Sequence, residues 1–169
     1  MNNYGKLIIQ FLALILLQVL ILNHIRVGLY INPYVYILFV LLLPFSTPRW
    51  LLLVLGFVTG LTVDWFTATP GLHAGATVFM AFMRPSIIKL VSGNREIDPD
   101  ESPGIHATGK RWFFAYSFLL VMLHHATLFF LEVFSFAQAK DTLLRVLSST
   151  FFSELIILLL LFFFSKTKK

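Results

Sequence analysis

The chain contains no cysteine and very little charge. The first absence excludes disulfides, thiol catalysis and cysteine metal sites. The second is as informative: 12% of residues are charged and only 8 are acidic, too few to clothe a soluble domain of 169 residues. Catalytic signatures are missing as well. There is no Gly-x-Ser-x-Gly, no His-Glu-x-x-His and no phosphate-binding loop, so nothing points to an enzyme and no cofactor is expected. A cleavable leader is not expected either. The first apolar run ends in Leu22-Asn23-His24-Ile25-Arg26, without a small-x-small cleavage site.

What is present is grease. Hydrophobic residues make up 58% of the chain and phenylalanine alone contributes 19. Lipid is the natural solvent for such a composition, and residues 1–169 read as a single integral membrane domain. In a soluble protein the net charge of +5 would hint at nucleic acid. Here the basic residues cluster between and after apolar segments, as the positive-inside rule places them, and no nucleic-acid partner is expected.

A spanning helix needs about 20 mostly apolar residues. Six segments are candidates: Leu7–Leu22, about Tyr34–Phe45, Trp50 to about Phe66, about Gly71–Val91, about Trp112–Phe136, and Val146–Phe164. The expected fold is therefore all-α, a polytopic bundle of six transmembrane helices, with five as the alternative. The second segment, within 33–46, is short and bracketed by Pro33 and Pro44, so it reads either as a full span or as a re-entrant piece. Residues 92–111 read as a polar loop and 166–169 as a basic tail. Tyr30, Tyr34, Tyr36, Trp50, Trp65, Trp112 and Tyr116 fall near predicted helix ends, where amphipathic rings favour the headgroup layer.

Charge sets the orientation. With six spans, Lys6, Arg49, Arg84, Lys89, Arg95, Lys110, Arg111, Lys166, Lys168 and Lys169 share one side. Only Arg26, Lys140 and Arg145 occupy the other. The basic side, with the 92–111 loop and the C-terminus, is expected in the cytoplasm. If the second segment does not span, the N-terminus changes sides and the C-terminus stays.

Few residues could carry chemistry. Gly56, Gly60 and Asp64 are spaced four apart and share one helical face. Glycines at that spacing let another backbone approach closely. Asp64 is either a structural anchor and partner contact, or an interfacial aspartate capping the next turn. Pro70-Gly71 makes a tight turn, and Gly71 and Gly75 form a second small pair at the start of the fourth helix. Asp64 and His73 then fall at similar depth as neighbours in a close hairpin. Two ligands are too few for zinc, so no metal is expected. Near the middle of the last two helices, His124, His125 and Glu154 share a depth. A Glu154–histidine contact is expected, preferred as an interhelical polar clasp over a proton relay. Arg84 is expected to snorkel to headgroups, with Pro85 kinking its helix. Asp98-Pro-Asp100-Glu101 reads as a solvated loop.

The run Gly56-Phe-Val-Thr-Gly60-Leu-Thr-Val-Asp64, followed by Pro70-Gly71-Leu72-His73-Ala74, resembles the rod shape-determining protein MreD family. That family is similar in being a small chain of five or six spans with a Gly-Leu-x-x-Asp helix and a Gly-Leu-His-Ala-like turn. The signature is confined to about residues 54–76. The resemblance implies a non-enzymatic inner-membrane component of the bacterial elongation complex that controls cell shape. It would be a scaffold linking MreC and MreB, with other elongation-complex membrane proteins, to peptidoglycan synthesis. It also implies that Gly56, Gly60, Asp64, Gly71, Leu72 and His73 serve the fold or a partner interface. The six-helix arrangement is similar, too, to the substrate-binding components of energy-coupling factor vitamin transporters. The first helix lacks their docking pair of small residues, since Ala13 has Leu17 and Ile9 at the flanking positions.

Overall fold

A computed structural model describes residues 3–25, 31–95, 97–135 and 137–164. Arg26, Tyr30, Phe136 and the basic tail 166–169 lie outside the described residues. Within them the chain is helical and forms no strand. Five helices are long and apolar enough to cross a membrane. Helix α1 (Asn3–Leu16) continues through a π turn at Leu17–Ile21 into a last 3-10 turn at Leu22–His24. Helices α3 (Arg49–Thr67), α4 (Leu72–Ser92), α5 (Lys110–Val133) and α6 (Ala139–Phe164) follow, with α4 packed between α3 and α5 and α6 against α5.

The distribution of side chains is inverted relative to a soluble protein. Leu12, Leu16, Val54, Phe57, Leu61, Phe151 and Leu155 point outward. Gln18, Thr59, Asp64, Arg84, Ser117, His124, His125, Ser153 and Glu154 are buried. Apolar faces outward and paired polar groups inward are compatible with a multi-pass membrane protein, where lipid replaces water around the bundle.

The second expected span is not a spanning helix. Only Leu38–Leu41, helix α2, is helical there; residues 31–35 are irregular, and the rest of the segment up to 46 is mostly turns. The segment runs the length of the bundle nonetheless. Near the 67–72 turn, the Asn32 and Tyr34 amides donate to the hydroxyls of Ser149 (3.0 Å) and Ser153 (2.9 Å) on α6. At the opposite end, the Phe45 and Ser46 amides donate to the carbonyls of Glu101 (3.0 Å) and Pro99 (2.8 Å) in the α4–α5 loop. An extended residue advances about 3.3 Å and a helical one 1.5 Å, so a short run suffices. Hydropathy is blind to this difference. Val35–Leu41 and Leu43 are at most 4% exposed, and that burial explains their apolar character whatever their backbone conformation.

Non-helical backbone in an apolar interior needs outside partners for its amides and carbonyls. Gln18 supplies several. Its Oε1 accepts from the Val35 amide at 2.8 Å and its Nε2 donates to the Pro33 carbonyl at 3.1 Å. Gln18 sits in the π turn of α1, an irregularity common at functional positions. At the loop end Arg84 takes over. Its Nη2 donates to the Leu43 carbonyl and its Nε to the Tyr116 hydroxyl (2.7 Å), which itself donates to the Leu41 carbonyl (2.9 Å). Arg84 therefore does not snorkel. It is 2% exposed and turned inward. Several aromatic residues also depart from the expected headgroup positions: Tyr36 and Tyr116 are fully buried, whereas Trp50 and Trp65 are exposed.

The 92–111 loop is shorter than expected. Helix α4 includes Ser92, and α5 starts at Lys110, so the connection is 93–109. Its acidic stretch does more than meet solvent, since the Pro99 and Glu101 carbonyls hold the end of the central segment.

Candidate functional site

The α3–α4 hairpin is built around missing side chains. A Cβ placed on Gly60 would lie 2.5 Å from both the His73 carbonyl oxygen and Ala74 Cα, closer than real atoms approach. One at Gly56 would lie 3.1 Å from Ala81 Cβ and 3.3 Å from the Thr77 carbonyl oxygen. The two helices thus touch backbone to backbone along one face of α3, as the spacing of Gly56, Gly60 and Asp64 requires.

Asp64 closes the end of that seam. Its Oδ1 accepts from the His73 amide (3.0 Å) and the Thr69 hydroxyl (2.9 Å), and its Oδ2 accepts from the Ala74 amide (2.8 Å). These amides belong to the first turn of α4, which has no partners within its own helix. A carboxylate there satisfies them and meets the positive end of the helix dipole. Asp64 is 3% exposed, so it is a buried cap on its neighbour rather than a hydrated interfacial group. Gly71 precedes α4 with φ +84, a conformation that other residues adopt at a cost.

Gly75 is a correction. It does not form a packing pair with Gly71 against α3. It is exposed, and the nearest atom to a Cβ there would be Leu131 Cδ1 of α5 at 3.7 Å. His73, Ala74, Thr77 and Ala81 are the residues of α4 that Gly56 and Gly60 approach. Leu72 is half-buried against a satellite core of Ala76, Leu128, Phe129 and Val146.

From His73 a polar cluster runs inward. The Tyr36 hydroxyl hydrogen bonds with His73 Nδ1 (3.1 Å), Thr77 Oγ1 (3.1 Å) and His124 Nε2 (2.7 Å). The Tyr34 ring lies edge-on to His73, with centroids 4.9 Å apart. His125 bonds the Val121 carbonyl through Nδ1 (2.8 Å) and Ser153 Oγ through Nε2 (3.2 Å). The expected Glu154–histidine contact is not made. Glu154 Oε1 meets Ser117 Oγ at 2.5 Å, and the adjacent Ser153 takes His125 instead. Equal depth on two helices fixes height but not rotation, and neighbouring residues point about 100° apart. Among the described residues no group of three or more His, Cys, Asp or Glu is placed to hold a metal ion.

Sequence reasoning named His73, His124, Asp64 and Glu154 but missed Gln18, Tyr36, Ser117 and Ser153. Gln18 carried a signal, being a polar side chain inside an otherwise apolar run. Tyr36 carried none, because its role depends on a segment whose backbone path is invisible to hydropathy.

Fold and site together define a helical bundle compatible with multi-pass membrane insertion, with a glycine-packed, aspartate-capped hairpin and a buried non-helical segment. No protein-family model, no curated protein and no solved structure matches the chain.

Proposed function

We propose that this chain is a non-enzymatic scaffold of the bacterial inner membrane, of the MreD kind, that links MreC and MreB to peptidoglycan synthesis during cell elongation. The observation that carries the reading is the α3–α4 hairpin. The residues behind the resemblance, Gly56, Gly60, Asp64 and His73, meet in one close-packed hairpin, with Gly71 capping α4 and Leu72 opening it. Their interactions are structural, as a scaffold requires. Asp64 is fully occupied by donors of its own chain, so it has little left for a reaction.

In this reading the chain crosses the membrane six times, five times as a helix and once as the 31–46 segment. The 93–109 loop, flanked by Lys89, Lys110 and Arg111, and both termini face the cytoplasm, where a filament partner would lie, and the 67–72 turn faces a periplasmic partner. The vitamin-transporter reading is less well supported, because residues 35–43 fill the bundle interior with the chain's own side chains.

Depletion in the native host, followed by microscopy and vitamin-uptake assays, tests the proposal. Rounded cells with normal uptake are expected. Normal cell shape with lost uptake would overturn the scaffold reading in favour of transport.

A further inference from the structure

Polar groups inside this bundle are mostly paired, so the exceptions carry information. Thr59, Thr62, Thr67, Thr77, Thr127 and Thr142 each return their hydroxyl to the carbonyl four residues earlier. That is the ordinary resting place of a helical threonine. Thr150 does not use it. Its side chain is 0% exposed, and its hydroxyl has no partner. One turn further along the same face of α6 stands Glu154, 3% exposed, whose Oε2 is also without a partner.

The other oxygen of Glu154 poses a proton-counting problem. Ser117 Oγ lies 2.5 Å from Oε1 and 2.7 Å from the Phe113 carbonyl oxygen. Both neighbours are acceptors, and one hydroxyl has one hydrogen to give. If Ser117 back-bonds to Phe113, the short contact to Glu154 needs a proton from the carboxyl side. Among the described residues no basic side chain pairs with Glu154. An ionised carboxylate left bare in an apolar interior is strongly unfavourable.

We propose that Glu154, Ser117 and Thr150 form a monovalent-cation site on the α5–α6 seam, filled by a sodium ion or by a proton on the carboxyl group. The donor set is oxygen only: one carboxylate and two hydroxyls, the chemistry that hard cations select. The two unpartnered oxygens (Gln10 Nε2 and His124 Nδ1, which also lack partners, are nitrogens) rise from positions four apart on one helix, with Cβ atoms about 5–6 Å from each other, a spacing that one bridging ion spans. The titratable groups nearest in depth are His124, His125 and Tyr116 on α5 and Tyr34 and Tyr36 on the central segment; Lys110 and Arg111 stand at the far end of α5, and Glu132, Arg145, Lys140 and Asp141 at the opposite end of the seam. Arg84 lies beyond Tyr116. None of these donates a hydrogen bond to Glu154: His125 is engaged by Ser153 and Tyr116 by Arg84 and Leu41. The site is independent of the shape role. It gives a bundle with no catalytic constellation a way to sense or carry an ion.

The test uses the full chain in liposomes treated with dicyclohexylcarbodiimide, an apolar reagent that attacks protonated carboxyls. The modified residue is located by mass spectrometry, across a pH series, in sodium chloride or choline chloride at equal ionic strength. Modification of Glu154 that sodium suppresses and choline does not identifies a sodium site. Modification that persists at neutral pH, where an ordinary glutamate is ionised, and is lost only at higher pH, in sodium and choline alike, identifies a proton site. Modification indifferent to both, or none at Glu154 at any pH, overturns the proposal. Thr150→Val separates the site from a merely unpaired hydroxyl. With a site, the ion or pH dependence is lost or displaced while the chain stays folded. If the variant instead melts higher and labels unchanged, Thr150 is no ligand and the proposal fails.

Discussion

Gly60 and His73 are so close that no methyl group fits between them: a Cβ on Gly60 would sit 2.5 Å from the His73 carbonyl oxygen. The obstructing atoms are backbone and cannot rotate away. Gly60→Ala is therefore expected to force α3 and α4 apart and to cost at least the upper end of the ~1–3 kcal/mol typical of overpacking. Gly56→Ala meets Ala81 Cβ at 3.1 Å and is expected to cost less. Thermal unfolding of both variants in detergent checks the order; equal melting temperatures would contradict this account of the hairpin.

Removing the Asp64 carboxylate deprives the His73 and Ala74 amides and the Thr69 hydroxyl of their acceptor. Asp64→Ala is expected to destabilise the chain by about 1–2 kcal/mol, the range of a lost helix cap. Asp64→Asn keeps one acceptor oxygen but turns an amide group toward the other donor, so it should fall between. Hydrogen exchange at His73 and Ala74 reports the loss directly and should accelerate in both variants, more in the alanine one.

Arg84 is the fastening of the central segment at the loop end. Arg84→Met removes the donors to the Leu43 carbonyl and the Tyr116 hydroxyl, and a loss of about 3 kcal/mol is expected for charged hydrogen bonds of this kind. Lysine cannot mimic the planar fork and should not rescue it. Because the chain has no cysteine, Val40→Cys provides a clean probe. It should resist maleimide in the otherwise native chain and react once Arg84 is replaced.

The end-to-end path of residues 31–46 makes a topological prediction. Single cysteines at Ile31 and Ser46 should be labelled from opposite sides of the membrane by an impermeant reagent. Labelling of both from one side would mean that the segment turns back, and the N-terminus would then change sides.

The hairpin was legible in the sequence because its signal is local. Gly56, Gly60 and Asp64 repeat at the helical period, and Pro70-Gly71 marks the turn. The central segment was legible only as apolar. Hydropathy records that Val35–Leu41 avoid water, and a buried run of turns with one short helix satisfies that as well as a spanning helix does. Pro33 and Pro44 hinted at the difference without deciding it. Arg84 was misjudged for a related reason. Its partners are carbonyls that exist as free acceptors only because the central segment is not a helix. Glu154 fell to rotation: its depth followed from position along α6, but its partner depended on which way the helix faces.

The central segment also constrains how the protein is made. Its amides at Asn32 and Tyr34 find partners only on Ser149 and Ser153, more than a hundred residues later in the chain. A helix can enter the bilayer alone because it satisfies its own backbone; this stretch cannot. It must wait, at the membrane surface or in the translocation channel, until α6 has been synthesised. Assembly therefore finishes out of sequence order, with an early segment as the last piece to settle. A nascent chain stopped before α6 would present the unsatisfied amides of Asn32 and Tyr34 to the machinery that removes incomplete membrane proteins.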